Sequence, residues 1–306
     1  MGGETKNKAA SVRAKLLNFA RAEKTDFDAL LLRYFQERFL YRITISKFSD
    51  SFILKGGLLL ICLNVPKSRP TRDIDFLAEG LKNDSAELEH IFRVIAGLFC
   101  DDGVNFEPSS IVSEKIKEDT DYEGIRLKIN ATLGNARKKL QLDIGFGGVI
   151  WPKANLMEFP TLLEEEPPRI KVYSIESIIS EKFEAMIKLA MANSRMKDFY
   201  DIYTLSVSHN FQGNILKKAI ENTFERRKTP IPDDPLVFRL EFHKNKGRQQ
   251  QWIAFLRKSR LDNVNREFNE IMRKITAFLK PVVISIKDKT RMDEVWDAVA
   301  GYWKLK

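Results

Sequence analysis

The chain has 306 residues, 43% of them hydrophobic, with a formal net charge of +9, which is enough apolar material to bury the core of one large or two ordinary domains. Its longest apolar stretch lies in GGLLLICLNV and is far shorter than the roughly 20 residues of a membrane-spanning helix. The polar start MGGETKNKAASVRAK has no apolar signal core, so a cytoplasmic protein without membrane attachment is expected.

Helical periodicity runs over residues 8–22 and again over 27–46, where Leu30, Leu31, Tyr34, Phe35, Phe39 and Leu40 form an apolar stripe. FILKGGLLLICL reads as a short strand or turn passing through Gly56 and Gly57 into a helix. A glycine pair there lets backbone N–H groups approach a phosphate closely, the helix dipole favours an anion, and Lys55 could add a point charge. Taken alone, KGG is equally an ordinary turn. In RPTRDIDFLAEG, the segment DIDFLA is a strand with Asp73 and Asp75 on one face and Ile74 and Phe76 on the other. Two like charges held side by side repel, so either a divalent cation binds them or they are solvated at a strand end.

NDSAELEHIFRVIAGLF reads as a helix with Asp84 at the N-cap and Glu87 three residues on. Three alternating stretches follow, SSIVSEKIKE, GIRLKINATL and KLQLDIGF, and predict a half-buried antiparallel sheet with Leu127, Ile129 and Ala131 opposite Arg126, Lys128 and Asn130. In the last stretch Leu140, Leu142, Ile144 and Phe146 share a face, leaving Asp143 on the other with Gln141. If that strand lies beside DIDF, a third carboxylate joins the pair. Three such groups suit Mg²⁺, which takes a few carboxylates together with substrate phosphates. Two ions would activate an attacking hydroxyl and stabilise a leaving pyrophosphate.

The Pro- and Glu-rich passage FPTLLEEEPPRIKVY breaks the pattern, placing a domain boundary within residues 160–168, and beyond Ser174 the chain reads as mostly helical to its end. In SIISEKFEAMIKLAMANSRMKDFYDIYTLS, Asp198 and Asp201 are i, i+3 with Arg195 one turn before Asp198, and Lys182 on the preceding helix could reach the same side. The alternative is an intrahelical Arg195–Asp198 salt bridge on a solvated face. TPIPDDP marks a loop. Residues 241–280 hold ten Lys/Arg against four acids, with Phe242, Trp252, Phe255, Phe268 and Phe278 interleaved, as a face that both packs and meets a polyanion would require. An ordinary solvated basic surface has the same composition. Cys62 and Cys100 sit in apolar surroundings and read as buried free thiols. His90, His209 and His243 have no partner pattern and read as structural, and no zinc site can be built from these five residues.

The segments LKGGLLL, RPTRDIDF, LQLDIGFG, EKFEAMIKL followed by SRMKDFYDIY, QWIAFLRK and FNEIMRKITAFLKP occur in the order of a known family. The chain resembles the AbiEii/AbiGii toxin family of nucleotidyltransferases, the toxin halves of type IV toxin–antitoxin (abortive-infection) systems. The likeness spans roughly residues 27–283 and includes the Gly-Gly, Asp-x-Asp, distant-Asp order of polymerase-β-type sites. It implies an α+β protein. Residues 1–165 would form a polymerase-β-type nucleotidyltransferase lobe with a mixed sheet and flanking helices, and residues 166–306 a helical lobe completing an active-site cleft. Asp73, Asp75 and Asp143 would be metal ligands and Gly56-Gly57 the phosphate-binding turn, with Lys55 and Arg195 contributing to nucleotide binding. Lys182 would bind the triphosphate, and Asp198 would position or deprotonate the attacking hydroxyl with Asp201 beside it. The implied activity is Mg²⁺-dependent transfer of a nucleoside monophosphate from an NTP to an RNA acceptor, tRNA in some relatives, inhibiting translation. The implied partner is an operon-encoded antitoxin that represses the shared operon. One departure is Leu58, where relatives often carry a hydroxyl residue after the glycine pair.

Two other readings fit the same residues. The acceptor could be a protein side chain or a small molecule, although the basic segment would repel a cationic drug. Alternatively, the chain could be a non-catalytic nucleotide- or RNA-binding module, a reading that the full set of carboxylates speaks against.

Overall fold

In the computed structural model, residues 2–63, 65, 69–118 and 122–305 are described. Among them the elements in chain order are α1 (Gly2–Ala22), α2 (Phe27–Thr44), β1 (Phe52–Lys55), α3 (Gly56–Cys62), β2 (Asp73–Ala78), α4 (Ser85–Ala96), β3 (Val104–Phe106), β4 (Val112–Glu118), β5 (Tyr122–Leu133), β6 (Ala136–Phe146), β7 (Asn155–Glu158) and β8 (Arg169–Val172). There follow α5 (Ile175–Leu189), α6 (Met196–Ser208), β9 (Phe211–Gln212), α7 (Gly213–Arg226), α8 (Leu240–His243), α9 (Lys246–Lys258), α10 (Phe268–Lys287), β10 (Val295–Asp297) and β11 (Tyr302–Lys304). The class is α+β, as the sequence implies. The chain divides into two compact units, one of residues 1–64, 70–148 and 155–172, the other of residues 65–69, 149–154 and 173–306.

The first unit is built on an eight-stranded mixed sheet in the order β3-β5-β6-β2-β1-β8-β7, with β4 also paired to β5. The antiparallel β4-β5-β6 meander follows from the alternation read in the sequence, but β6 then runs parallel to β2 with Asp75 opposite Asp143 and Asp73 opposite Gln141. Helix α2 starts where Asp26 accepts the Ala29 N–H at 3.0 Å, and its apolar stripe is buried together with Arg38 and Arg42. Those two guanidinium groups converge on the buried Asp102, Arg38 through Nε at 3.1 Å and Arg42 through Nη1 at 2.7 Å. Helix α4 is capped as expected, with Asp84 accepting from the Glu87 N–H at 2.7 Å. Strand β7 lies just before the passage read as a break and β8 within it; four-residue strands separated by a proline-rich stretch carry too little alternation to show.

The second unit is a helical assembly around buried aromatic residues. Phe199 meets Phe242 and Phe268, and Trp252 packs on Phe268. The end of the chain is mostly helical, as read, and adds the short three-stranded antiparallel sheet β11-β10-β9. It packs through Trp296 and Trp303 onto Phe278 of α10, and Trp296 donates its indole N–H to the Ser206 carbonyl at 2.6 Å. Strands of two or three residues are too short for periodicity to reveal. Cys62 is buried, whereas Cys100 is only half-buried.

Candidate active site

Gly56 is the first residue of α3, directly after β1, and has φ of 70°, a left-handed conformation that glycine adopts without the penalty of a side chain. A Cβ on Gly56 would fall on the Asp75 carboxylate, 2.6 Å from its Cγ and 2.8 Å from its Cβ. The sequence thus places a turn that only glycine can make directly against a carboxylate. Lys55 is the register partner of Asp75 across the β1–β2 pair. Asp73 and Asp75 are half-buried on one sheet face while Ile74 and Phe76 are fully buried on the other, which is the predicted alternation.

That charged face continues sideways. Reading across the sheet in register, Lys55 is followed by Asp75, Asp143, Arg126 and Glu114. Neighbouring strands are about 4.8 Å apart, so Asp143 is brought beside Asp75 as the sequence reading required. It is engaged there by Arg126. Arg126 Nε donates to Asp143 Oδ1 at 2.8 Å and Nη2 to Oδ2 at 2.8 Å. Gln141 Nε2 adds longer bonds of 3.3 and 3.4 Å to the same two oxygens. This hydrogen-bonded carboxylate raises the Arg126 pKa above its ordinary value.

The hard oxygens of Asp73 and Asp75 suit a divalent cation whose coordination is completed by donor phosphates. Asp143 differs from the expected third ligand because both its oxygens accept from the guanidinium fork. Among the described residues, no group of three His, Cys, Asp or Glu side chains could hold a metal ion.

The second unit holds a separate ionic cluster. Lys182 on α5 places Nζ 2.8 Å from Asp198 Oδ1 and 2.8 Å from Asp201 Oδ2. Arg195 Nε lies 2.7 Å from Asp198 Oδ2. Arg69 donates from Nε and Nη2 to the two oxygens of Asp201, each at 3.0 Å. Both aspartates are 0% exposed, so the Arg195–Asp198 pair is present but not on a solvated face. Burial by itself would raise the Asp201 carboxyl, yet Lys182 and Arg69 outweigh it and hold Asp201 below the usual carboxylate range. Burial would likewise lower Lys182, and Asp198 and Asp201 together keep its pKa raised. Among the described residues, Lys182, Arg195 and Arg69 face Asp198 and Asp201 with Lys197 nearby, which leaves the cluster net positive, a charge suited to an anion.

Sequence reasoning missed Arg69 and Arg126. Arg69 lies inside the motif RPTRDIDF, where an arginine so near a carboxylate pair was an available signal. Arg126 was visible only as one polar position of an alternating strand, and its partner depends on strand register. Of the ten cations in residues 241–280, Arg248 turns inward, donating to the carbonyls of Ala190, Met191 and Asn193; the other nine are exposed.

The family model described as "Nucleotidyl transferase AbiEii toxin, Type IV TA system" matches residues 38–274. Among solved structures, JHP933 from Helicobacter pylori is 14% identical over 86% of this chain and 95% of its own, with a TM-score of 0.48. A candidate nucleotidyltransferase from H. pylori is 15% identical over 87% of this chain and 99% of its own, with a TM-score of 0.46. Comparison with curated proteins gives no match.

Proposed function

Because the chain belongs to the AbiEii nucleotidyltransferase toxin family of type IV toxin–antitoxin systems, we propose that it transfers a nucleoside monophosphate from an NTP to RNA, with tRNA as the acceptor class, in a Mg²⁺-dependent reaction that stops translation. Nucleotidyl transfer and an antitoxin partner come with the family; the cation, the acceptor and the cytoplasmic consequence are the reading proposed. An acceptor hydroxyl attacks the α-phosphorus, a P–O bond forms as the bond to the β-phosphate breaks, and pyrophosphate and a proton are released.

The observation that supports this reading most is the packing of Gly56 on Asp75 beside Asp73, which ties a phosphate-approaching turn to a carboxylate pair. A divalent cation bound by these two carboxylates supplies charge stabilisation at the phosphoryl oxygens. The backbone at Gly56 and Gly57 admits a phosphate closely, with the start of α3 adding its dipole and Lys55 a cation. Leu58 is fully buried, so this turn relies on backbone N–H groups and not on a hydroxyl. Lys182 and Arg195 are assigned to anion binding, with Arg69 fixing Asp201. Asp198, fully buried and paired with Lys182 and Arg195, is assigned to holding the Lys182 ammonium in place. The nine exposed cations of residues 241–280 supply the salt-dependent attraction for a nucleic-acid backbone.

The test is to incubate the chain with each α-labelled NTP, Mg²⁺ and cell extract, then treat with ribonuclease or protease. Label removed by ribonuclease supports the reading. Label removed only by protease moves the acceptor to a protein, and absence of transfer to any macromolecule contradicts it.

A further inference from the structure

Two adjacent strands carry three aspartates, Asp75 and Asp143 opposite each other in the charged row and Asp73 two residues before Asp75. Such an array invites two divalent ions, but at Asp143 a cation of the chain itself is already bound through both oxygens. The Arg126 guanidinium is bidentate on Asp143, donating to both oxygens at 2.8 Å, and Arg126 also feels the charge of Asp73. It is itself held on its strand by the row, with Nη1 4.0 Å from Glu114 Oε1, while Lys128 Nζ bonds that same oxygen at 2.8 Å. A second dication at Asp143 would have to break two charge-assisted hydrogen bonds and then sit beside the displaced guanidinium, a like charge.

We propose that Arg126 is a built-in cation occupying the Asp143 position, so that the strand pair anchors one divalent ion, at Asp73 and Asp75, and not two. The proposal rests on the metal-dependent reading above and assigns Arg126 the electrostatic work that a second ion does in a two-metal site. An arginine suits this task because its planar fork matches a carboxylate and its charge persists at any working pH.

The experiment counts bound Mn²⁺ on the full chain by electron paramagnetic resonance, using the metal alone as probe and no turnover. The native chain binds one ion per chain, and Asp75→Asn weakens it at least tenfold. Asp143→Asn changes that ion's affinity by less than about threefold, because Asp143 is not its ligand. Arg126→Gln, shown to be folded by its melting transition, gains a second ion that Arg126→Gln/Asp143→Asn loses again, whereas Arg126→Lys stays at one. Two ions on the native chain would overturn the inference without any variant and leave the metal-dependent reading intact. So would a tenfold loss in Asp143→Asn, or a single ion in folded Arg126→Gln. No bound ion on the native chain would overturn both.

Discussion

Replacing Lys182 by Met removes one ammonium from between two fully buried carboxylates. Each contact is 2.8 Å long, a gross Coulomb attraction of about 6 kcal/mol at an effective dielectric constant of 20. Most of that gain is offset by desolvating the ammonium and the carboxylates. What the substitution exposes is the uncompensated remainder, about 3–5 kcal/mol for a buried pair that loses one partner. Arg195 stays with Asp198 and Arg69 with Asp201, which places the expected loss toward the lower end. Adding Asp198→Asn to Lys182→Met removes the charge that lost its partner. The double variant is then more stable than Lys182→Met alone, with a coupling of about 1–3 kcal/mol. Urea unfolding followed by tryptophan fluorescence reads this unit selectively, because all four tryptophans, Trp151, Trp252, Trp296 and Trp303, belong to it. A Lys182→Met loss below about 1 kcal/mol, or additive losses in the double variant, would refute the reasoning. The same measurement shows how far inactivity of a Lys182 variant reflects a weakened fold.

Gly56→Ala forces a left-handed backbone on a residue with a Cβ, costing about 1–2 kcal/mol, and drives the Asp75 carboxylate aside. The expected outcome is a drop in melting temperature of only a few degrees with at least a hundredfold fall in nucleotidyl transfer, measured by calorimetry and by pyrophosphate release. Burial pushes the Glu37 carboxyl up from 4.5 to about 7, against the opposing Leu162 N–H and Arg38. A raised carboxyl stabilises the fold below its unfolded value and loses that contribution as pH rises through 7, a change of about 3 kcal/mol. Glu37→Gln therefore raises stability at pH 8 and has little effect at pH 4, as denaturant titrations at the two pH values would show.

The carboxylate strand, its glycine turn and the two-helix lysine–aspartate cluster were legible because their signals are local. Period-two alternation fixes the face of Asp73 and Asp75, and i, i+3 spacing fixes that of Asp198 and Asp201. Register was not local. That β6 runs parallel to β2, bringing Asp143 against Asp75, was only a condition in the sequence, and the grip of Arg126 on Asp143 follows from the same long-range pairing. Charge counting also failed to separate Arg248, whose guanidinium satisfies three carbonyls in the interior, from its nine exposed neighbours. The terminal β9–β11 sheet stayed hidden because three-residue strands have no period, and their tryptophans read equally as helix core.

The central claim is tested most directly by incorporation of each α-labelled NTP into purified tRNA with Mg²⁺, comparing the native chain with Asp75→Asn. The account predicts label in tRNA from the native chain, lost when Mg²⁺ is chelated and reduced at least a hundredfold in a folded Asp75→Asn variant. Undiminished incorporation by that variant would contradict the site, and no incorporation from any NTP by the native chain would contradict tRNA as the acceptor.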